Sequence, residues 1–244
     1  MSGHSKWHSI KHKKGAIDAK RGKIFTRHAK LIEIAARSGG DPSMNPGLRL
    51  ALDNARADNL PNLNIERAIR KGTGEDKDSA VLVETIYEGY APGGVALYIE
   101  TISDNKNRTV SNIRSTLLKH GGNLGAAGCV GWMFEKKGMI ALKPTSLLQD
   151  DVEMKIIDSG ASDFKKDEDI YLVYTALSDL HTVAKNLVAV GLEVDKQEVT
   201  YIPKTMTQVT DKAMAEKIIG LLETLDEDED VTNVSMNCEL PEES

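Results

Sequence analysis

The sequence predicts an α+β protein, with a small helical segment at the N-terminus followed by α+β modules of the split βαβ type. Two observations carry this. Up to about residue 71 the apolar residues recur at helical spacing with brief polar breaks. After the stretch GTGEDKDSA at 72–80, β-rich runs alternate with helical ones.

Residues 1–22 lack apolar periodicity and form an irregular or induced-helix arm. From Lys23 to Arg37 a helix is expected, with Phe25, His28, Leu31, Ile32 and Ala35 on one face and Lys23, Arg27, Lys30 and Arg37 on another stripe. Ser38, Gly39 and Gly40 end it. A second helix starts near Asn45, with Pro46 where a missing N–H costs little, and buries Leu48, Ala51, Leu52 and Ala55. A third runs from Asn62 to Lys71 over Ile65, Ala68 and Ile69, with Gly72 as its C-terminal cap.

Beyond the linker, VLVETIYEGY and VALYIETIS are strands joined by APGG. A helix follows over 107–120 with Val110, Ile113 and Leu117 inward, and GGNLGAAG breaks it. CVGWMFE and GMIALK suggest a hairpin with Lys136, Lys137 and Gly138 at its tip, so that Cys129 begins a strand. Then come a helix at 147–158 (Leu148, Val152, Ile156), a strand at 170–176, a helix at 179–190 and a strand at 193–202. A helix at 211–225 and a strand at 231–238, with Thr232, Val234, Met236 and Cys238 on one face, complete the chain.

The formal net charge of −6 hides a strong polarity. Residues 1–80 hold 16 Lys+Arg against 9 Asp+Glu, and the first forty hold 10 against 2 together with four of the six histidines. Such asymmetry points to a polyanionic partner for the basic part. Lys6, Lys11, Lys13, Lys14, Lys20, Arg21, Lys23, Arg27 and Lys30 are the phosphate-contacting candidates, with Trp7 as a stacking residue. Phe25 sits at core spacing instead. Arg67, Arg70 and Lys71 add charge on the third helix, where Glu66 could pair with Arg70. YEGYAPGG, SDNKNRT and KHGGNLG are small, polar connections that bring Lys106, Arg108, Arg114, Lys119 and His120 into one module. That set suits a phosphate backbone.

Catalytic signatures are missing. Gly15 and Gly22 before Lys23 have the wrong spacing for a phosphate loop, and GGNLG follows a helix where a dinucleotide fingerprint follows a strand. Cys129 and Cys238 lack metal-type spacing, which leaves Cys238 as filling for a buried strand face. Two cysteines make no disulfide framework and indicate a reducing compartment. No run of about 18 apolar residues occurs, and no hydrophobic stretch follows the basic N-terminus, so neither a membrane span nor a secretory signal is expected. His4, His8 and His12 recur every four residues, and polar donors amid lysines are the better reading than a metal site. The acidic run 226–230 is taken as a solvated loop, with cation binding as the weaker alternative. The expectation is a cytoplasmic, non-enzymatic protein without cofactor, metal, membrane or small-molecule substrate.

GHSKW at 3–7, KHKKGAIDAKRGKIFTRHAKLI at 11–32, NIERAIRKGTG at 64–74, YEGYAPGGVALYIE at 87–100, DNKNRTVSNIR at 104–114, KHGGNLG at 119–125 and FEKKGMI at 134–140 closely resemble the YebC family. The match is colinear over nearly the whole chain. It departs at Ala127, Gly128 and Cys129, where the family often has an acidic-Gly-Ser turn, and at Gly47, where a basic residue is common. The resemblance implies a helical domain and two α+β domains, one inserted in the other. That gives 1–80 as basic arm and helical domain, 81–128 plus 204–244 as a discontinuous first α+β domain, and 129–203 as the inserted one. It also implies a nucleic-acid-binding regulator of gene expression. Bacterial members are described as probable transcriptional regulators that bind DNA, and mitochondrial relatives as translational activators of cytochrome c oxidase synthesis. A ribosome-associated factor that binds ribosomal RNA through the basic arm is the alternative.

Overall fold

The computed structural model describes residues 18–76, 80–167 and 169–240. Those residues form two compact units, one from 18–131 and 212–234, the other from 132–211 and 235–240.

The first unit begins with α1 (Asp18–Ala36), α2 (Pro46–Ala57) and α3 (Asn62–Gly72). Helix α1 is already under way at Asp18, so residues 18–22 are helical and not part of an irregular arm. Asn45 caps α2 by accepting the Leu48 N–H, and its side-chain amide donates to the carbonyls of Ala35 and Gly39, fixing the turn from α1. Ile32, Ala36, Leu48, Leu52, Ala55, Leu60, Ile65 and Ala68 form the helical core, with Phe25 packed at its edge. Gly72 ends α3 where a β-carbon would run into the Glu33 carbonyl and lie 2.6 Å from the Ala36 β-carbon. The α1–α3 crossing therefore demands glycine there, and the residue is a packing device more than a cap.

The same unit continues with β1 (Val83–Ala91), β2 (Val95–Ser103), α4 (Lys106–Lys119), β3 (Asn123–Leu124), α7 (Lys212–Asp226) and β9 (Val231–Met236). Strands β1 and β2 form an antiparallel hairpin over Val83↔Ser103 to Ala91↔Val95, turned by Pro92, Gly93 and Gly94, both glycines having positive φ. The sheet order is β3-β1-β2-β9. Ile113 and Leu117 of α4 and Ile218, Leu221, Leu222 and Leu225 of α7 supply the helices' buried faces.

The second unit holds β4 (Phe134–Leu142), α5 (Gln149–Asp158), β5 (Asp163–Asp167), β6 (Ile170–Thr175), α6 (Leu180–Ala189) and β7 (Val194–Pro203), with the short parallel pair β8 (Thr207–Gln208) and β10 (Cys238–Glu239). Its sheet order β5-β6-β4-β7 and its βαββαβ element order are those of a split βαβ fold. Four local expectations change along this stretch and just ahead of it. No hairpin turns at Lys136–Gly138, because β4 runs straight through and pairs with β7 from Phe134↔Pro203 to Leu142↔Val194. Gly138 is there for close approach, since a β-carbon would strike Thr175 and Leu180. Cys129 lies in a turn ahead of this strand, and Leu148, 75% exposed, precedes α5 while Val152 and Ile156 face inward. The unexpected β5 is an edge strand with exposed Lys165 and Lys166, charges that discourage further strand pairing.

The chain as a whole is α+β. The three-module division with boundaries after 80, 128 and 203 stands as our proposal. The two compact units group the helical segment with the first sheet and return to it at Lys212.

Candidate nucleic-acid interface

The sequence-predicted cationic residues separate into an inward and an outward set. Lys6, Trp7, Lys11, Lys13, Lys14 and the histidines at 4, 8 and 12 lie outside the described residues, and Lys20 is placed only as a backbone position on α1.

Lys23, Arg27 and Lys30 stand at i, i+4 and i+7 on α1, so one stripe of the helix presents all three. They meet the C-terminal end of α7. Lys23 Nζ donates to the Glu227 carbonyl at 2.8 Å. Arg27 donates to the Asp226 carbonyl at 2.8 Å and pairs with its carboxylate at 3.1 Å. Lys30 Nζ reaches the carbonyls of Ile102 and Glu229 and the Asp230 carboxylate, the last at 2.8 Å. A helix C-terminus leaves unpaired carbonyls and partial negative charge, which suits cations.

Asp230 is the centre of this arrangement, at 4% exposure. Besides Lys30 it accepts from Ser103 Oγ at 2.9 Å, Thr109 Oγ1 at 2.8 Å and Arg108 Nη2 at 3.0 Å. Burial alone would push its carboxyl up. The hydrogen bonds from Lys30, Thr109, Arg108 and Ser103 outweigh that and hold it at about 2. Arg108 also pairs with Asp104, and both carboxylates hold its guanidinium above the ordinary arginine value. The acidic run 226–230 is thus not simply a solvated loop. Its last member is a buried ionic hub joining α1, β2 and α4. An open cleft of ≈ 370 Å³ lies beside it, lined by Arg108, Asn112, Asp228, Glu229 and Asp230.

Sequence reasoning also missed a second anchor. Glu88 on β1 is 9% exposed and accepts the backbone N–H groups of Gly128, Val130 and Gly131, each at 2.7 Å. Burial raises its carboxyl, and the three N–H donors more than offset this to lower it. The carboxylate thereby fixes the glycine-rich loop after β3. Of the three polar connections, PGG at 92–94 and the HGG region adjoin, with the position of a Gly121 β-carbon 3.7 Å from Pro92. SDNKNRT lies at the opposite end of the β1–β2 hairpin, next to Ser103.

The outward set is Arg67 and Arg70 on α3 and Lys106, Arg114 and Lys119 on α4, all exposed. None of these side chains has a hydrogen bond or ion pair among the described residues. Lys71 is half-buried, and its charge faces Glu33, which burial raises. Arg21 is exposed on α1. His28 is buried and pairs with Asp58 at 2.6 Å. Among the described residues no three His, Cys, Asp or Glu side chains converge into a metal-holding group. No helix among them is long and apolar enough to cross a membrane.

The fold and this site define an α+β protein of helical and split βαβ modules whose cations are divided between an internal clamp and open helix faces. Comparison with known proteins makes the assignment particular. Residues 5–75 match the model of the TACO1/YebC protein N-terminal domain, and residues 82–238 that of the TACO1/YebC second and third domain. The chain belongs to this family. It is 48% identical to a "Probable transcriptional regulatory protein" of Desulfosudis oleivorans, over 98% of this chain and 97% of the relative. It is 44% identical to the protein of that name from Aquifex aeolicus, over 100% and 98%. The crystal structure of a conserved hypothetical protein, Aq1575, from Aquifex aeolicus superposes with a TM-score of 0.89 at 44% identity, covering 96% of each chain.

Proposed function

We propose that the protein is a non-enzymatic, nucleic-acid-binding regulator of gene expression, acting on duplex DNA in the reducing environment of the cytoplasm. The outward cationic set carries this reading. Five exposed Lys and Arg side chains on two helices have no internal anion among the described residues, whereas their neighbours on α1 are neutralised by the acidic turn. Unpaired cations on rigid helices bind phosphates by releasing counterions. The names of the relatives agree with such a role. The basic arm, with Lys6, Lys11, Lys13, Lys14 and Trp7, would extend the contact.

The test is filter binding of the full chain to duplex DNA and to ribosomal RNA fragments across a salt series. Duplex binding that weakens with salt, and less steeply once Arg67 and Arg70 are replaced by alanine, is expected. A preference for the RNA that persists at every salt concentration would establish the ribosomal alternative in its place. Binding to neither would sink the proposal.

A further inference from the structure

We propose that the solvent face of α4 is the element that enters the DNA groove and reads base edges; the proposal rests on the duplex-binding function given above. The argument starts from charge. Helix α4, KNRTVSNIRSTLLK, carries Lys106, Arg108, Arg114 and Lys119 and no acidic residue. Thr109, Ile113 and Leu117 face the sheet, so helical geometry sends Ser111, Ser115 and Leu118 to the opposite side with Asn107 and Arg114 on its flank, and all five are exposed.

The chemistry of that face fits a major groove better than a plain phosphate platform. Asn pairs with adenine, Arg with guanine, Ser with several base edges, and an apolar side chain meets the thymine methyl. The helix is 14 residues long, about 21 Å at 1.5 Å per residue. Its small central side chains, Ser111 and Ser115, let the backbone sit deep in a groove about 12 Å wide. Lys119 at its C-terminal end is placed to meet a backbone phosphate, whereas Lys106, seven residues before Ile113, lies on the sheet-facing side of the first turn.

The acidic neighbours set the direction of approach. Asp228 and Glu229 line the cleft on the Asn112 side of the helix and repel phosphate there. Arg108 turns towards this side and is held by Asp230 and Asp104, so its role is to fix the N-terminal turn of α4. Asn105 caps the same turn through the Arg108 N–H. The Asn107–Ser111 side, flanked by Arg114, is exposed and lies away from the cleft that Asp228 and Glu229 line. The base-reading residues thus sit on a helix braced by the Asp230 hub.

Two substitutions at one exposed position test this without disturbing packing. Ser111→Glu and Ser111→Ala are compared with the parent on a duplex selected from a random-sequence pool by the parent itself, and on a scrambled duplex. Ser111→Glu should weaken binding to the selected duplex about 10-fold or more while thermal unfolding stays unchanged, and Ser111→Ala, which keeps the close approach, should weaken it far less. Asn107→Ala should reduce the preference for the selected over the scrambled duplex, about 10-fold for one lost bidentate pair. Arg114→Ala should instead lower the salt slope if it contacts phosphate, or the preference if it contacts guanine. Equal binding by Ser111→Glu and the parent overturns the proposal. A parent that binds no duplex at all overturns the function reading itself, a result distinct from normal duplex binding by every α4 variant.

Discussion

Asp230→Asn keeps the size of the hub side chain and removes its charge. With the folded carboxyl at about 2 and an unfolded aspartate near 3.9, ionisation stabilises the native state by about 2.5 kcal/mol at neutral pH. The variant also strands Lys30, whose side chain is only 15% exposed. Removing one partner of a buried pair costs about 3–5 kcal/mol because the other charge remains. Lys30 keeps the Ile102 and Glu229 carbonyls as acceptors, which puts the expected loss at the low end, about 3 kcal/mol. For a chain of this length that corresponds to a fall in Tm of roughly 6–12 °C. Urea unfolding at pH 7 should show a lower midpoint with an unchanged m-value. The pH dependence is diagnostic. The folded carboxyl lies below the unfolded value, so its stabilisation is complete above about pH 5 and fades as the pH falls from about 4 through 2. The gap between parent and variant should narrow over that window. A gap below about 1 kcal/mol at pH 7, the size of a surface pair, or one that stays constant down to pH 2, would refute the hub.

Glu88→Gln should cost about 2 kcal/mol, the scale of a hydrogen bond to a charged group. Faster hydrogen exchange at Gly128, Val130 and Gly131 would locate the effect, and uniform exchange would rule out the anchoring role. The same change should speed thiol modification of Cys129, whose thiol is raised by burial and by the Glu88 charge. Gly72→Ala sets better helix propensity against a clash with Glu33 and Ala36. The clash should win, with a net loss of about 1–2 kcal/mol by urea unfolding, and a gain in stability would contradict the α1–α3 packing. Cys238, buried with its thiol pushed up to about 12, should resist a thiol reagent at pH 8 until urea unfolds its surroundings. Modification at the rate of Cys129 in the native protein would argue against that burial.

Helical periodicity was readable because each helix has one wet face and one dry face, which is why Leu48, Leu52, Ile65, Ile113 and Leu117 were placed correctly from spacing alone. Strand β5 was not, since DFKKD has a single apolar residue and takes its structure from pairing with β6. The Lys136–Gly138 segment misled because glycine there answers a neighbour's side chain across the sheet, which local sequence does not record. Charge polarity correctly marked a cationic part but could not divide it. Whether a lysine faces solvent or a carboxylate 200 positions away depends on tertiary contact. The one local sign of the hub was an unbroken acidic run directly after a helix, facing a basic stripe at i, i+4 and i+7 on another helix.

The separation of Lys30 and Asp230 along the chain also orders events during synthesis. Ribosomes add about 5–20 residues per second, so the 200 residues between them take about 10–40 s to make. Throughout that interval α1 is complete while the acidic turn that neutralises Lys23, Arg27 and Lys30 has not been translated. The nascent chain is therefore more cationic on α1 than the finished protein, in the immediate vicinity of RNA. Closing the hub is a late folding step, and it is the step that takes those three charges out of circulation.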